Sequence, residues 1–152
     1  MVVLSKAGVY GLRAATYLAM QPSDEYVSIA KIADDLRISF HFLTKVLQSL
    51  TQANMLKSFR GPKGGVTFAR PSAEISVYDV VVAIDTDNMF RECILSLPGC
   101  NERTPCPLHA EWLQIRTRVR TLFQETSLAD MAAQVKTKKL RLSDIGLSEL
   151  NS

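Results

Sequence analysis

Between residues 56 and 69 the chain sets Gly61-Pro62-Lys63-Gly64-Gly65 between two short β-prone runs, 56–60 and 66–69. Three glycines and a proline in five positions continue neither a helix nor a strand, so this segment has to fold as a hairpin with a tight tip. Arg60 and Lys63 flank that tip. The hairpin is the fixed point around which every other element must be arranged.

Ahead of it, apolar residues recur at helical spacing three times. Residues 5–20 carry Val9, Leu12, Thr16 and Ala19 on one face, and Gln21-Pro22-Ser23-Asp24 stops that helix. Ser28 caps a short second helix with Ile29, Ile32, Ala33 and Leu36 at i, i+3, i+4 and i+7. After Arg37-Ile38, Ser39 caps a longer third helix. Phe40, Leu43, Leu47 and Leu50 are its expected inward stripe, and His41, Thr44, Lys45 and Gln48 its outward face.

Beyond Pro71, Ser76 and Asp79 form a capping box for a helix to about residue 84. Residues 86–105 lose all periodicity. Pro107 stands where the first residue of a helix is expected, and Leu108, Trp112, Ile115, Val119 and Leu122 then make a seam of about four turns. Ser127 and Asp130 cap a last short helix, and from residue 136 the chain reads as a polar tail. No internal repeat is present.

The 152 residues amount to one domain with an appendage. Apolar residues at 47% and charged residues at 22% exclude disordered and fibrous classes. No apolar window is long enough for a membrane span, and Lys6 and Arg13 sit inside the opening apolar stretch, which argues against a signal peptide. A cytoplasmic protein with no membrane partner is expected, its three cysteines reduced.

Two short helices joined by a tight turn and followed at once by a basic hairpin is the layout of a winged helix-turn-helix, in a mainly α fold. Residues 1–70 carry nine Lys/Arg against four acids, whereas the remainder carries nine against eleven. The basic half therefore suits a polyanion. Ser39 and the exposed amides beside it suit phosphate, Lys45 adds charge, and His41, Thr44 and Gln48 offer hydrogen-bonding tips to base edges. On the wing, Arg60 and Lys63 supply charge, while Gly61, Pro62 and Gly64 let the backbone lie close to a sugar-phosphate chain. The bland alternative is a hairpin that needs its glycines only for the turn.

Cys93, Cys100, Cys106 and His109 fall within seventeen residues as C-x6-C-x5-C-x2-H. Thiolates with an imidazole are soft ligands for an iron–sulfur cluster or zinc. Pro98, Gly99, Pro105 and Pro107 keep the segment out of helix and free the sulfurs to converge. Cys106 is expected at a helix N-cap, where its thiol is acidified. Structural zinc ordinarily takes a C-x2-4-C pair, and none is present. A redox dithiol and three merely buried thiols remain alternatives. An enzyme is not expected: there is no nucleotide-binding glycine fingerprint, and neither histidine has a recognisable nucleophile partner.

LSKAGVYGLRA, SIAKIADDLRIS, RGPKGGV, ISVYDVVVAID and C-x6-C-x5-C-x2-HAEW together resemble the iron–sulfur-cluster regulator (IscR-like) family of bacterial winged-helix transcription factors. The resemblance runs from the start nearly to the tail. It implies a homodimer paired through the long helix, acting on double-stranded DNA at a palindromic promoter as a cluster-controlled repressor or activator. It also implies a cluster, 2Fe–2S ahead of 4Fe–4S and zinc behind both, on Cys93, Cys100, Cys106 and His109. Nitric-oxide-sensing relatives use a carboxylate of the partner's first helix, where this chain has Val9, which leaves His109 as the fourth ligand. The first cysteine loop is one residue longer than in the iron–sulfur-assembly regulators. Thr44-Lys45 replaces their Glu-Gln on the reading helix, so a different operator is implied. The expected division is a DNA-binding domain over 1–85, a cluster loop over 86–106, dimerisation and terminal helices over 107–135, and a flexible tail over 136–152. A metal-free or thiol-switched repressor of the same fold is the alternative.

Overall fold

A computed structural model describes residues 4–142. Six helices occur in it: α1 (Lys6–Ala19), α2 (Ile29–Leu36), α3 (Phe40–Gln52), α4 (Val77–Asp85), α5 (His109–Glu125) and α6 (Leu128–Lys138). Strands β1 (Leu56–Phe59) and β2 (Gly65–Phe68) lie between α3 and α4. Short 3-10 turns at Ser72–Glu74 and Asn88–Phe90, which no periodicity signals, join the larger elements. Mainly α with a winged hairpin is the fold expected from the sequence.

The serine caps expected at Ser28, Ser39, Ser76 and Ser127 are in place, and Ser5 adds one that was not expected. Ser5 Oγ accepts from the Gly8 amide at 3.0 Å and Ser28 Oγ from the Lys31 amide at 3.1 Å. Ser76–Asp79 and Ser127–Asp130 are both complete capping boxes. Each satisfies amide protons that a helix start leaves without partners. Arg37 ends α2 in the left-handed region at φ 55°, and Ile38 buries itself inside the three-residue turn to α3. The start of α3 is thereby anchored.

The main core joins α1 (Ala14, Ala15, Leu18), α2 (Ile32, Ala33, Leu36), α3 (Leu43, Leu47, Leu50) and the hairpin (Leu56, Val66). β1 pairs antiparallel with β2, Leu56 opposite Phe68 and Phe59 opposite Gly65. Val27, just before α2, exchanges both backbone bonds with Val66 at 2.9 Å, adding a rung that ties the wing to the helices. Gly65 lies next to that rung, where a Cβ would stand 2.1 Å from the Val27 carbonyl oxygen. A second cluster, Val77, Val81 and Phe90 with Val119 and Phe123, seats α5 on α4.

Several expectations need correction. Phe40 does not point inward: it is 47% exposed, and Val46 completes the buried stripe instead. As the first residue of α3 it lines an open cleft towards the hairpin, and Phe42 packs against Tyr10. Helix α5 starts at His109 with Leu108 as its N-cap, so neither Pro107 nor Cys106 holds the expected place. The cause is a tighter turn: the His109 amide bonds the Cys106 carbonyl at 3.1 Å, and the first α-helical bond runs from the Trp112 amide to Leu108. The α5 seam splits, with Val119 packed on its own chain and Ile115 and Leu122 left 52% and 61% exposed.

Helix α6 passes residue 136, where the polar tail was expected to begin, and ends at Lys138. Leu128, Ala132 and Val135 pack inward, and Lys136 and Lys138 suit the negative end of the helix dipole. Leu142 is buried against the main core. The rest of the expected tail, 143–152, lies outside the described residues. Among the described residues no helix is long and apolar enough to cross a membrane.

Candidate functional site

Two groups of side chains stand apart from the core. The first is the outer face of α3 and the hairpin. His41, Lys45 and Gln48 are exposed along the helix, and Thr44 is half-buried among them. The Thr44 hydroxyl donates to the Phe40 carbonyl at 2.8 Å, so its proton is already used. Ser39 spends a lone pair capping α3, accepting from the Phe42 amide at 3.5 Å.

At the hairpin tip the Gly64 amide bonds the Gly61 carbonyl at 2.9 Å. Gly61 adopts φ 126°, and a Cβ on Gly64 would lie 2.1 Å from the Phe59 carbonyl oxygen, so the close turn requires both glycines. Arg60, Pro62 and Lys63 are exposed around it. A cleft of about 640 Å³ separates helix and hairpin. Thr44, Gln48, Arg60, Gly61 and Gly64 line it, whereas Ser39, His41, Lys45, Pro62 and Lys63 lie outside its lining. Two aromatics that sequence reasoning did not select, Phe40 and Phe59, line it as well.

The second group is the loop before α5. The sulfurs of Cys93, Cys100 and Cys106 lie within 4.8 Å of one another. Cys93 Sγ is 3.5 Å from Cys106 Sγ, and Cys100 Sγ is 3.4 Å from His109 Nδ1. All four residues of the C-x6-C-x5-C-x2-H run therefore converge on one place. Gly99 at φ 68°, just before the second cysteine, and the Asn101 side chain, just after it and accepting from the Arg103 and Thr104 amides, turn the loop back on itself around Cys100.

Local polarity separates the thiols. Backbone amides at Leu97 and Leu95 aim at the Cys93 sulfur and bring its thiol down to about 7. At Cys100 a backbone contact at Cys106 favours the thiolate, but burial and the two neighbouring sulfurs outweigh it and push that thiol up. The surroundings thus set Cys93 and Cys100 apart, acidifying the first and opposing ionisation of the second. His109 Nε2 is buried without a hydrogen-bond partner among the described residues. Three thiols, one of them acidified, beside an imidazole with an unsatisfied nitrogen form a donor set that fits a soft metal centre.

Helix α5 grips the segment leading into Cys93. Trp112 Nε1 donates to the Glu92 carbonyl at 3.0 Å, and Arg116 donates to the Arg91 and Glu92 carbonyls, both at 2.9 Å. Arg120 reaches the Phe90 carbonyl at 3.1 Å with its guanidinium over the Phe90 ring. These contacts are not legible in the sequence, where Trp112 counts only as an apolar seam residue and neither arginine stands out.

The family model described as "Rrf2: Iron-dependent Transcriptional regulator" matches residues 4–134. The chain belongs to the Rrf2 family. Rrf2 proteins are transcriptional regulators, so this chain is a winged helix-turn-helix DNA-binding regulator and not an enzyme. It is similar to the HTH-type transcriptional regulator IscR of Photorhabdus laumondii, 27% identical over 128 residues, 84% of this chain and 77% of that protein. Among solved structures it resembles CymR, the global cysteine regulator of B. subtilis. The TM-score is 0.75 at 25% identity, covering 88% of this chain and 98% of that one. T. potens IscR matches with a TM-score of 0.72 at 25% identity, covering 91% of each chain. Rrf2 membership thus includes both a protein named for cysteine regulation and proteins named IscR.

Proposed function

We propose that this Rrf2 chain is a homodimeric sensor whose grip on a palindromic promoter is set by an iron–sulfur cluster, 2Fe–2S ahead of 4Fe–4S, on Cys93, Cys100, Cys106 and His109. The observation that carries the reading is the convergence of three sulfurs within 4.8 Å, with the His109 ring beside Cys100. When bound, such a cluster supplies an oxidation-sensitive metal–sulfide centre. The chain's own part is to hold three thiolates and an imidazole at the foot of α5.

Trp112, Arg116 and Arg120 then link the order of that loop to α5. Ile115 and Leu122, exposed on α5, are the residues we assign to pairing with a second copy. Two reading heads on one dimer must meet half-sites about one DNA turn apart, so a small shift in α5 alters affinity. In this reading Ser39, His41, Thr44, Lys45 and Gln48 enter or flank the major groove. Arg60, Gly61, Pro62, Lys63 and Gly64 follow the neighbouring backbone.

A second reading, a thiol switch without metal, draws on the 3.5 Å contact between Cys93 and Cys106 and on the acidified Cys93. Anaerobic purification with absorption spectroscopy and iron, sulfide and zinc assays separates the two. Iron and acid-labile sulfide in equal amounts support the cluster. Zinc alone, or no metal together with an oxidant-dependent loss of DNA binding, overturns it. Cluster loading must also change operator affinity, and operator must change cluster affinity by the same factor.

A further inference from the structure

We propose that Phe40 is a specificity residue that recognises the 5-methyl group of thymine in the operator. The inference rests on the DNA-binding reading and adds to it a base and a chemical group. Phe40 opens α3 with 47% of its surface exposed, and Phe59 on β1 is 58% exposed across the same cleft. Tyr26, 38% exposed, packs on Phe59 with ring centroids 5.8 Å apart. Three large aromatics are therefore turned outward in the basic half of the chain, where residues 1–70 carry nine Lys/Arg against four acids.

The face is also less polar than its sequence suggests. Thr44, one turn beyond Phe40 and in the same cleft lining, has donated its hydroxyl proton to the Phe40 carbonyl and has no donor left to offer. Gln48 follows one turn later and is fully polar. The strip Phe40–Thr44–Gln48 thus grades from apolar at the helix start to hydrogen-bonding further along. The His41 ring stands edge-on to Phe40 at 5.6 Å and props it in this outward position.

A surface flanked by Lys45 and Arg60 and continuous with the wing fits a polyanion better than an apolar protein partner. On the major-groove edges of the bases, the one apolar group that projects into the groove is the C5-methyl of thymine; cytosine offers only a C5–H at the same place. An apolar residue at the leading end of a reading helix matches that methyl best. A thymine in each half-site, contacted through its methyl, follows.

The test starts from duplexes enriched by the purified full-length protein from a random-sequence double-stranded DNA library. Each thymine of an enriched half-site is then replaced singly by deoxyuridine, which removes only the methyl. Binding to wild type should weaken about three- to tenfold at one or two positions, as burial of one methyl group predicts. Phe40→Ala should bind thymine and deoxyuridine duplexes equally, while Phe40→Leu, which keeps an apolar tip, should retain part of the difference. Uniform tolerance of deoxyuridine by wild type, or undiminished discrimination by Phe40→Ala, overturns the proposal. A library that enriches no duplex removes the DNA reading itself.

Discussion

Trp112 Nε1 donates to the carbonyl of Glu92, the residue before Cys93, at 3.0 Å. The helix assigned to pairing therefore holds the first cysteine's backbone directly, and Arg116 reaches the same carbonyl at 2.9 Å. Arg116→Ala removes two bonds while Trp112 keeps one. Its expected cost is about 1–2 kcal/mol of global stability. Amide hydrogen exchange over residues 90–95 should rise more than elsewhere, and equal protection in variant and wild type would contradict the linkage.

Ligand roles predict a graded loss. Cys93→Ala, Cys100→Ala and Cys106→Ala should each abolish bound iron and sulfide under anaerobic reconstitution. His109→Ala, which leaves three thiolates, should load but lose its cluster faster in air. Metal analysis with absorption decay curves checks this, and full loading of Cys106→Ala would remove that residue from the set.

Thiol reactivity should follow the two opposite shifts. In metal-free reduced protein Cys93, brought down to about 7, is largely thiolate above neutral pH, whereas Cys100 is pushed up and stays protonated. The thiolate is the reacting form. Alkylation by iodoacetamide, followed by peptide mass spectrometry, should therefore modify Cys93 first. Its rate should climb between about pH 6 and 8 and then level off. Faster labelling of Cys100 at pH 7 would contradict the assignment.

On the wing, Arg60→Ala and Lys63→Ala should weaken binding to all duplexes alike. Taking one cation away from a phosphate should flatten the salt dependence by about 0.9 in log–log slope. Titrations at several salt concentrations read both quantities, and a sequence-selective weakening would move these residues from the DNA backbone to the bases.

Gly65→Ala places a Cβ 2.1 Å from the Val27 carbonyl oxygen, against backbone that has no rotamer to yield. The rung between Val27 and Val66 should open, at a cost of about 2 kcal/mol or more. Thermal unfolding measures it. Gly99→Ala, with open space around it but φ 68°, should cost about 1 kcal/mol.

The reading helix pair, the hairpin and the caps were legible because each depends on residues close in sequence: a serine and the amide three residues on, or three glycines in one turn. The Cys/His run was legible for the same reason, since Cys106 and His109 are joined by one short turn. Phe40 was misplaced because spacing along α3 says which residues share a face but not how far that face is covered by the elements packed on it, and at Phe40 it opens into the cleft. The grip of Trp112, Arg116 and Arg120 on residues 90–92 was invisible because it joins segments twenty to thirty residues apart through backbone carbonyls, which leave no mark on side-chain pattern.

By itself, the order of residues determined a winged helix-turn-helix carrying three thiols and an imidazole, because periodicity, caps and turns are local and their chemistry is written in single side chains. Only the tertiary structure decided which thiol is acidified, which aromatics face outward and what binds the cysteine loop to α5. Those outcomes depend on the dielectric, the amide dipoles and the free space around each group, and all three are set by distant parts of the chain packing together.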